Sequence, residues 1–373
     1  MLAKPLEVCR QTNFHYYLYM SSTAIPGNSA ASAAISPEKE QRKQALQTWL
    51  AGLNGHAMKL DSMRAASADA SFRQYYRIDT EDGSSLIAVD APPATENTAA
   101  FIKMANLLKS INLTVPEVLA HDLEQGFMLV TDMGMHTYGQ ILNSDNAHKL
   151  YLDAIDSLIL FQAQSQADVL PEYDRPFLLR ELNIFKEWYV GKHLGVTLTD
   201  AQTATLDKVF DHLLASALAQ PQVYVHRDYH SRNLMWMDKG NPGIIDFQDA
   251  VYGPITYDLV SLLRDAYVQW DEEIVLDWAI RYWEKARRAG LPVAPDIDSF
   301  YRDFEWMGLQ RHLKILGIFA RLSHRDGKHH YIADIPTVME YVRKTSHRYK
   351  ELIPLLRLLD ELEDNAPQVG YTF

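Results

Sequence analysis

The segment VYVHRDYHSRNLMW, residues 223–236, sets two arginines and two histidines around Asp228, with Asn233 five positions after the aspartate. The overlapping stretch NLMWMDKGNPGIIDFQDA carries two short apolar runs on either side of DKGNPG, in which Gly240, Asn241, Pro242 and Gly243 are turn formers. This pattern predicts an antiparallel hairpin. Asn233 precedes the first run and Asp246 ends the second, at nearly equal distances from the turn, so the two should meet at the open end. Asp228 lies in the loop that feeds the first strand, close to the same place. Two carboxylates and one amide oxygen converging there form an oxygen-rich site, suited to Mg²⁺ rather than to a softer metal. Mg²⁺ held by only one or two side chains completes its octahedron with phosphate oxygens, so the implied ligand is a nucleotide. His226 and His230 also raise a zinc reading through the run His-x-Asp-x-His, but that reading leaves Asn233 and Asp246 idle.

The elements that must position these residues divide into a small mixed lobe and a larger helical one. At 373 residues the chain exceeds the usual size of a single core. Residues 1–36 read as a tail or gene-model extension, because the stretch from 21 onward is small, polar and non-periodic. From Pro37 the sequence begins like a capped helix, with Ser36 as N-cap and acidic residues in the first turn. SFRQYYRID, the turn TEDGS and SLIAVDAPP resemble a hairpin, TENTAAFIKMANLLKSI has helical spacing, and FMLVTDMG is a strand running into a loop. These place an N-terminal lobe at 37–132. Residues 133–373 read as mainly helical, interrupted only around 222–247. The expected class is α+β.

Composition narrows the function. With 47% hydrophobic and 23% charged residues the chain should fold as a soluble globule. A net charge of -12 argues against nucleic-acid binding, which needs a basic face, while leaving room for a locally basic pocket. Cys9 is the only cysteine, which excludes an intrachain disulfide and a thiolate-rich metal site and fits a reducing cytoplasm. No apolar run approaches the roughly 20 residues of a membrane helix. Nothing in the sequence calls for an obligatory protein partner.

The order His226-Arg227-Asp228, four residues, Asn233, then Asp246-Phe247-Gln248 resembles the catalytic loop and metal-binding segment of the bilobal protein-kinase-like fold. The following GPITYDLVSLLRD is similar to the aminoglycoside phosphotransferase branch of that fold. Together with ASFRQYYRI, LIAVDAPP, GFMLVTDMG, RELNIFKEWYVGKHLGVTLT and QRHLKILGIFARLSHRDGK, the likeness extends over roughly residues 40–365 to bacterial kinases that phosphorylate the anomeric hydroxyl of N-acetylmuramate and N-acetylglucosamine in peptidoglycan recycling.

The resemblance implies roles for individual residues. Asp228 would accept or orient the proton of the attacking hydroxyl, Asn233 and Asp246 would hold Mg²⁺, and Asp258 would brace the loop around Asp228. ATP or GTP would meet the turn containing Ser67, Ala70, Ser71 and Arg73, where alanine and serine replace the glycines of a phosphate loop, and its base would meet backbone groups of Asp132 and Met133. The strand that should carry a phosphate-binding lysine has none, with Asp90 near that place; Arg73 and Arg77 are the candidate substitutes, and Glu96 is left without a role. Glu181, Arg311, His312 and Lys314 are candidates for the acceptor amino sugar, a cation suiting a lactyl carboxylate. Lys186 and the aromatic residues Trp188, Tyr189 and Trp306 are weaker candidates for the same site. A kinase of another small alcohol (an aminoglycoside, choline or an amino acid) and a nucleotide-binding pseudokinase stay open as alternatives.

Overall fold

The structure, a computed structural model, describes residues 37–67 and 73–364. Its first part comprises α1 (Pro37–Ala51), β1 (Arg64–Ser67), β2 (Gln74–Asp79), β3 (Ser85–Asp90), α2 (Thr98–Ser110), β4 (Val118–Asp122) and β5 (Phe127–Thr131). The strands form one antiparallel sheet in the order β1-β2-β3-β5-β4. Successive strand residues point to opposite faces, and here both faces are apolar, so both must be covered. Leu46 and Leu50 of α1 cover Ile78, Ala88, Phe127 and Leu129 on one face. On the other, Val89, Met128 and Val130 join Phe101, Met104 and Leu108 of α2 in a core that continues into the rest of the molecule. The expected hairpin is β2–β3, closed at Asp79↔Ser85 by a turn in which Gly83 takes φ +85°.

The remainder is mainly helical: α3 (Tyr138–Ile141), α4 (Ala147–Ala163), α5 (Arg175–Ile184), α6 (Asp200–Ala219), then β6 (Gln222–Val225), β7 (Leu234–Met235), β8 (Gly243–Ile244) and β9 (Val251–Pro254). These strands are followed by α7 (Tyr257–Leu263), α8 (Glu272–Arg288), α9 (Ile297–Asp326), α10 (Ile335–Arg348) and α11 (Ile353–Asp364). A π-helical segment, Phe185–His193, continues α5. The 30-residue α9 is the spine of this region, buried along most of its length between Phe300 and Ser323.

Extended structure does not stop at residue 247 as expected: β9 follows and pairs antiparallel with β6. Neither β1, RAAS, nor β4, VLAHD, has the alternating apolar pattern that would reveal it, because both are short strands at the sheet's two edges. Residues 1–36 lie outside the described residues. Among those described, no helix is long and apolar enough to cross a membrane.

Candidate active site

The hairpin geometry follows from its register. β7 and β8 pair Leu234 with Ile244 and Met235 with Gly243, and the Ile245 N–H donates to the Asn233 carbonyl at 3.1 Å. Asn233 and Asp246 therefore stand side by side at the open end. The Asn233 Nδ2 donates to the Asp228 carbonyl at 3.0 Å and to Asp246 Oδ2 at 3.4 Å, so all three expected residues converge. Asn233 is buried, whereas the side chains of Asp228 and Asp246 are 42% and 43% exposed. A Cβ at Gly243 would lie 2.5 Å from Met133 Cε, so the flexible tip of Met133 would have to move aside. Phe247, fully buried, packs on Phe101 of α2 with ring centroids 4.9 Å apart, which joins this hairpin to the sheet region.

Two residues here adopt left-handed backbone conformations without being glycine: Arg227 at φ +78° and Asp246 at φ +62°. Such a conformation costs on the order of 1–3 kcal/mol and persists only where neighbours over-determine it. At Arg227 the backbone is held on both sides and the end of the side chain is paired. Its N–H and that of His226 donate to the buried Asp258 carboxylate at 3.0 and 2.6 Å; its carbonyl accepts from Arg311 at 2.6 Å; its guanidinium donates to Glu181 at 2.7 Å. Further along, the N–H and hydroxyl of Ser231 donate to Asp265 at 3.1 and 2.5 Å. Asp265 was not anticipated: it lies two residues past the end of α7 at Leu263, so helical spacing from Asp258 does not point it at the loop.

His226 links the loop to the strand before Asp246. Its Nδ1 accepts from the Asp228 N–H at 3.3 Å, which leaves Nε2 to donate to the Ile245 carbonyl at 3.1 Å. Burial holds this imidazole at about 4, so it is neutral. Among the described residues no group of three or more His, Cys, Asp or Glu could hold a metal, which removes the zinc reading.

Asp228 sits in a cationic surround. Burial opposes its ionisation, but Lys314, Arg311, His230 and Arg227 outweigh it and hold the carboxyl well below the usual range. Arg311 stands 3.7 Å from Asp228 Oδ1. Lys314 donates to Glu181 at 2.8 Å and to the Tyr257 hydroxyl at 3.2 Å, so Glu181, Arg311 and Lys314 form a buried network behind Asp228. His312 is not brought there: one helical step away, it stacks on Tyr341 and donates from Nε2 to the Arg264 carbonyl, with burial holding it at about 3 and thus neutral. Lys186 pairs with Asp207 at 3.4 Å, and Tyr189 and Trp306 are core residues.

The missing lysine has a different resolution from the one Asp90 suggested. Asp90 shares the parity of Leu86 and Ala88, so it faces α1, where Arg42 binds its carboxylate through Nε at 2.9 and 3.2 Å. It does not face the side lined by α2. Arg73 does: its Nε donates to Glu96 at 2.7 Å and its NH1 lies 3.6 Å from Asp246 Oδ1, with the Arg73 and Glu96 side chains only 10% and 11% exposed. Glu96 stands just before α2, whose N-cap is Asn97, rather than inside the helix. Arg77 is engaged elsewhere, bidentate on Asp132 at 2.5 and 2.9 Å and on the Gly134 carbonyl at 2.8 Å. Ser85 also binds the Asp132 carboxylate, at 2.6 Å, which fixes the connection that leads to the buried Met133. Ser67 ends β1, while Ala70 and Ser71 lie outside the described residues.

Residues 62–291 match the phosphotransferase enzyme family. The chain is 50% identical over 338 residues to an N-acetylmuramate/N-acetylglucosamine kinase of Neisseria meningitidis serogroup B, covering 89% of this chain and 100% of that protein. A protein of the same name from Pseudomonas putida is 47% identical, with 88% and 99% covered. Among solved structures, the amicoumacin kinase hAmiN in complex with AMP-PNP, Ca²⁺ and Ami superposes with a TM-score of 0.58 at 16% identity, over 89% of this chain and 97% of that one. Choline kinase LicA from Streptococcus pneumoniae gives 0.56 at 13% identity, over 82% and 99%. At such identities the likeness is one of fold, and it is the protein-kinase-like fold. A family match over more than half of the sequence, with relatives near 50% identity across almost their whole length, makes this chain a member of the phosphotransferase enzyme family.

Proposed function

We propose that this protein is an ATP-dependent kinase that phosphorylates the anomeric hydroxyl of N-acetylmuramate and N-acetylglucosamine, giving the sugar 1-phosphate for peptidoglycan recycling. The convergence of Asp228, Asn233 and Asp246 in one loop-and-hairpin unit carries the chemistry. The acceptor is taken from the activity named for the relatives at 47–50% identity. The γ-phosphorus–oxygen bond to ADP breaks as the bond to the sugar C1 oxygen forms, and Asp228 orients that hydroxyl and takes its proton. Because the surrounding cations keep Asp228 ionised, it is ready to accept a proton at neutral pH.

The donor set fits Mg²⁺. With its amide NH₂ turned to the Asp228 carbonyl and to Asp246, Asn233 has its Oδ1 left as a ligand, and the half-exposed Asp246 supplies carboxylate oxygens. Bound there, the ion would neutralise charge on the phosphates. Arg73, held by Glu96, takes the part of the absent lysine toward the phosphates, and the backbone of Asp132 and Met133 meets the base. The nucleotide lies between the 37–132 and 133–373 lobes. This reading places the protein in the cytoplasm, with nucleotide and amino sugar as its partners.

The test is ³¹P NMR of the purified protein with Mg-ATP and each sugar, beside Asp228→Ala. A sugar 1-phosphate resonance that is absent from the variant is expected. Transfer to neither sugar would send the assignment to another small alcohol.

A further inference from the structure

The cations expected to meet an acidic acceptor are already engaged inside the protein, Lys314 with Glu181 and Tyr257, and Arg311 with the Arg227 carbonyl. Arg321 differs. Its Nε is buried with no hydrogen-bond partner, and among the described residues its guanidinium forms no ion pair. The neighbouring acid Asp326 is bound bidentately by Arg325 at 2.7 and 2.9 Å. Burial and Arg325 lower the Arg321 pKa more than the acids Asp326 and Glu187 raise it, and neither acid forms an ion pair with it.

Its position matters as much as its state. At about 100° per residue and 1.5 Å rise, Arg321 lies about 20° around the α9 axis from Lys314 and about 10 Å further along. Lys314 is close enough to Asp228 for its charge to favour the carboxylate. Past Lys314 this side of α9 opens: Ile318, Arg321 and Leu322 are only half-buried. On one flank Gly317 lets α9 press against the end of α5, since a Cβ there would lie 2.5 Å from the Ile184 carbonyl. On the other, Phe319 packs on Tyr267 and Tyr331, with centroids 6.0 and 5.3 Å apart. A strip of α9 thus runs from Asp228 to Arg321 between two walls.

We propose that Arg321 binds the carboxylate of an acidic acceptor and sets the preference for N-acetylmuramate over the neutral N-acetylglucosamine; this rests on the function proposed above. The lactyl group of N-acetylmuramate hangs from C3, two carbons from the reacting C1, so its carboxylate needs a cation set back from Asp228 rather than beside it. Arg321 is the α9 cation that meets this requirement.

The test measures kcat/KM for both sugars in the wild type, Arg321→Gln and Arg321→Lys. For Arg321→Gln, about a tenfold to hundredfold loss is expected with N-acetylmuramate, mostly in KM, and less than a twofold change with N-acetylglucosamine. Arg321→Lys should fall between, and its retained charge keeps the test valid if the glutamine variant folds poorly. Equal losses with both sugars, or none with either, overturn the proposal. If the wild type phosphorylates neither sugar, the assigned function fails separately. Calorimetric titration with N-acetylmuramate then decides the inference: binding weakened by Arg321→Gln sustains it, and unchanged or absent binding overturns it.

Discussion

Replacing Arg73 by Met keeps an apolar stem of similar length and removes only the guanidinium. In the structure that group is the 2.7 Å partner of Glu96 and stands 3.6 Å from Asp246. With the Arg73 and Glu96 side chains about one-tenth exposed, water screens their contact weakly. Hydrogen bonds to charged groups contribute about 1.5–3 kcal/mol, and removing a fixed donor from a site of developing oxyanion charge costs about 10²–10³ in rate. The proposed phosphate role therefore predicts a fall of about 10²–10³ in kcat/KM for Mg-ATP. Initial rates against Mg-ATP at saturating sugar, with thermal unfolding in parallel, give both numbers. Arg77→Met is the control: its charge is bound to Asp132 and Gly134, so it should lower the melting temperature more than the rate. Glu96→Gln should cost less than Arg73→Met and add little to it, because Glu96 acts through Arg73. An Arg73→Met enzyme within about threefold of wild type, or a larger kinetic loss from Arg77→Met, would refute the substitution of arginine for lysine.

Further outcomes follow from the loop. Asp228→Ala should lower kcat by about 10²–10⁴ while leaving Mg-ATP affinity, read by calorimetry, within a few-fold. Because the Asp228 pKa is depressed, the carboxylate stays ionised well into acid, so the wild-type rate should show no acid limb from this group above about pH 5; one that vanished in Asp228→Asn would contradict its electrostatics. Asp258→Asn should destabilise the fold by about 1–3 kcal/mol in urea, since an amide cannot accept as well from the two N–H groups that Asp258 holds. Burial pushes Asp258 up to about 7, so the native state binds its proton more tightly than the unfolded chain. Its contribution to stability then declines as pH rises from about 4 through 7, and the asparagine variant should lack that slope. Glu181→Ala leaves Arg227 and Lys314 buried without their shared carboxylate and should cost about 3–5 kcal/mol by the same measurement.

What could be read from sequence was local. The meeting of Asn233 and Asp246 needed only a turn and a count of residues on either side, and the register delivers it. Asp90 shows where counting stops: its parity with Ala88 was visible, but not that the Ala88 face is covered by α1. In the same way Arg311, His312 and Lys314 are close in sequence, and 3.6 residues per turn separates His312 from the other two, yet the face toward Asp228 is chosen by tertiary packing. Glu96 stayed without a role because its partner, Arg73, stands just before β2 at a separation of 23 residues.

The buried charges around the loop hold its shape through groups of the protein itself. Arg227 is held in the left-handed region by Asp258 from α7, Glu181 from α5 and Arg311 from α9, so the direction of the next residue, Asp228, is decided by three helices of the C-terminal region. Satisfied buried networks of this kind rigidify what they surround, and an aspartate that must meet a hydroxyl within hydrogen-bond reach benefits from that rigidity. The same α9 that supplies Arg311 at the loop carries Arg321 at the outer end of the strip. A change in acceptor can therefore arise along the half-open part of α9 without disturbing the buried part that aims Asp228.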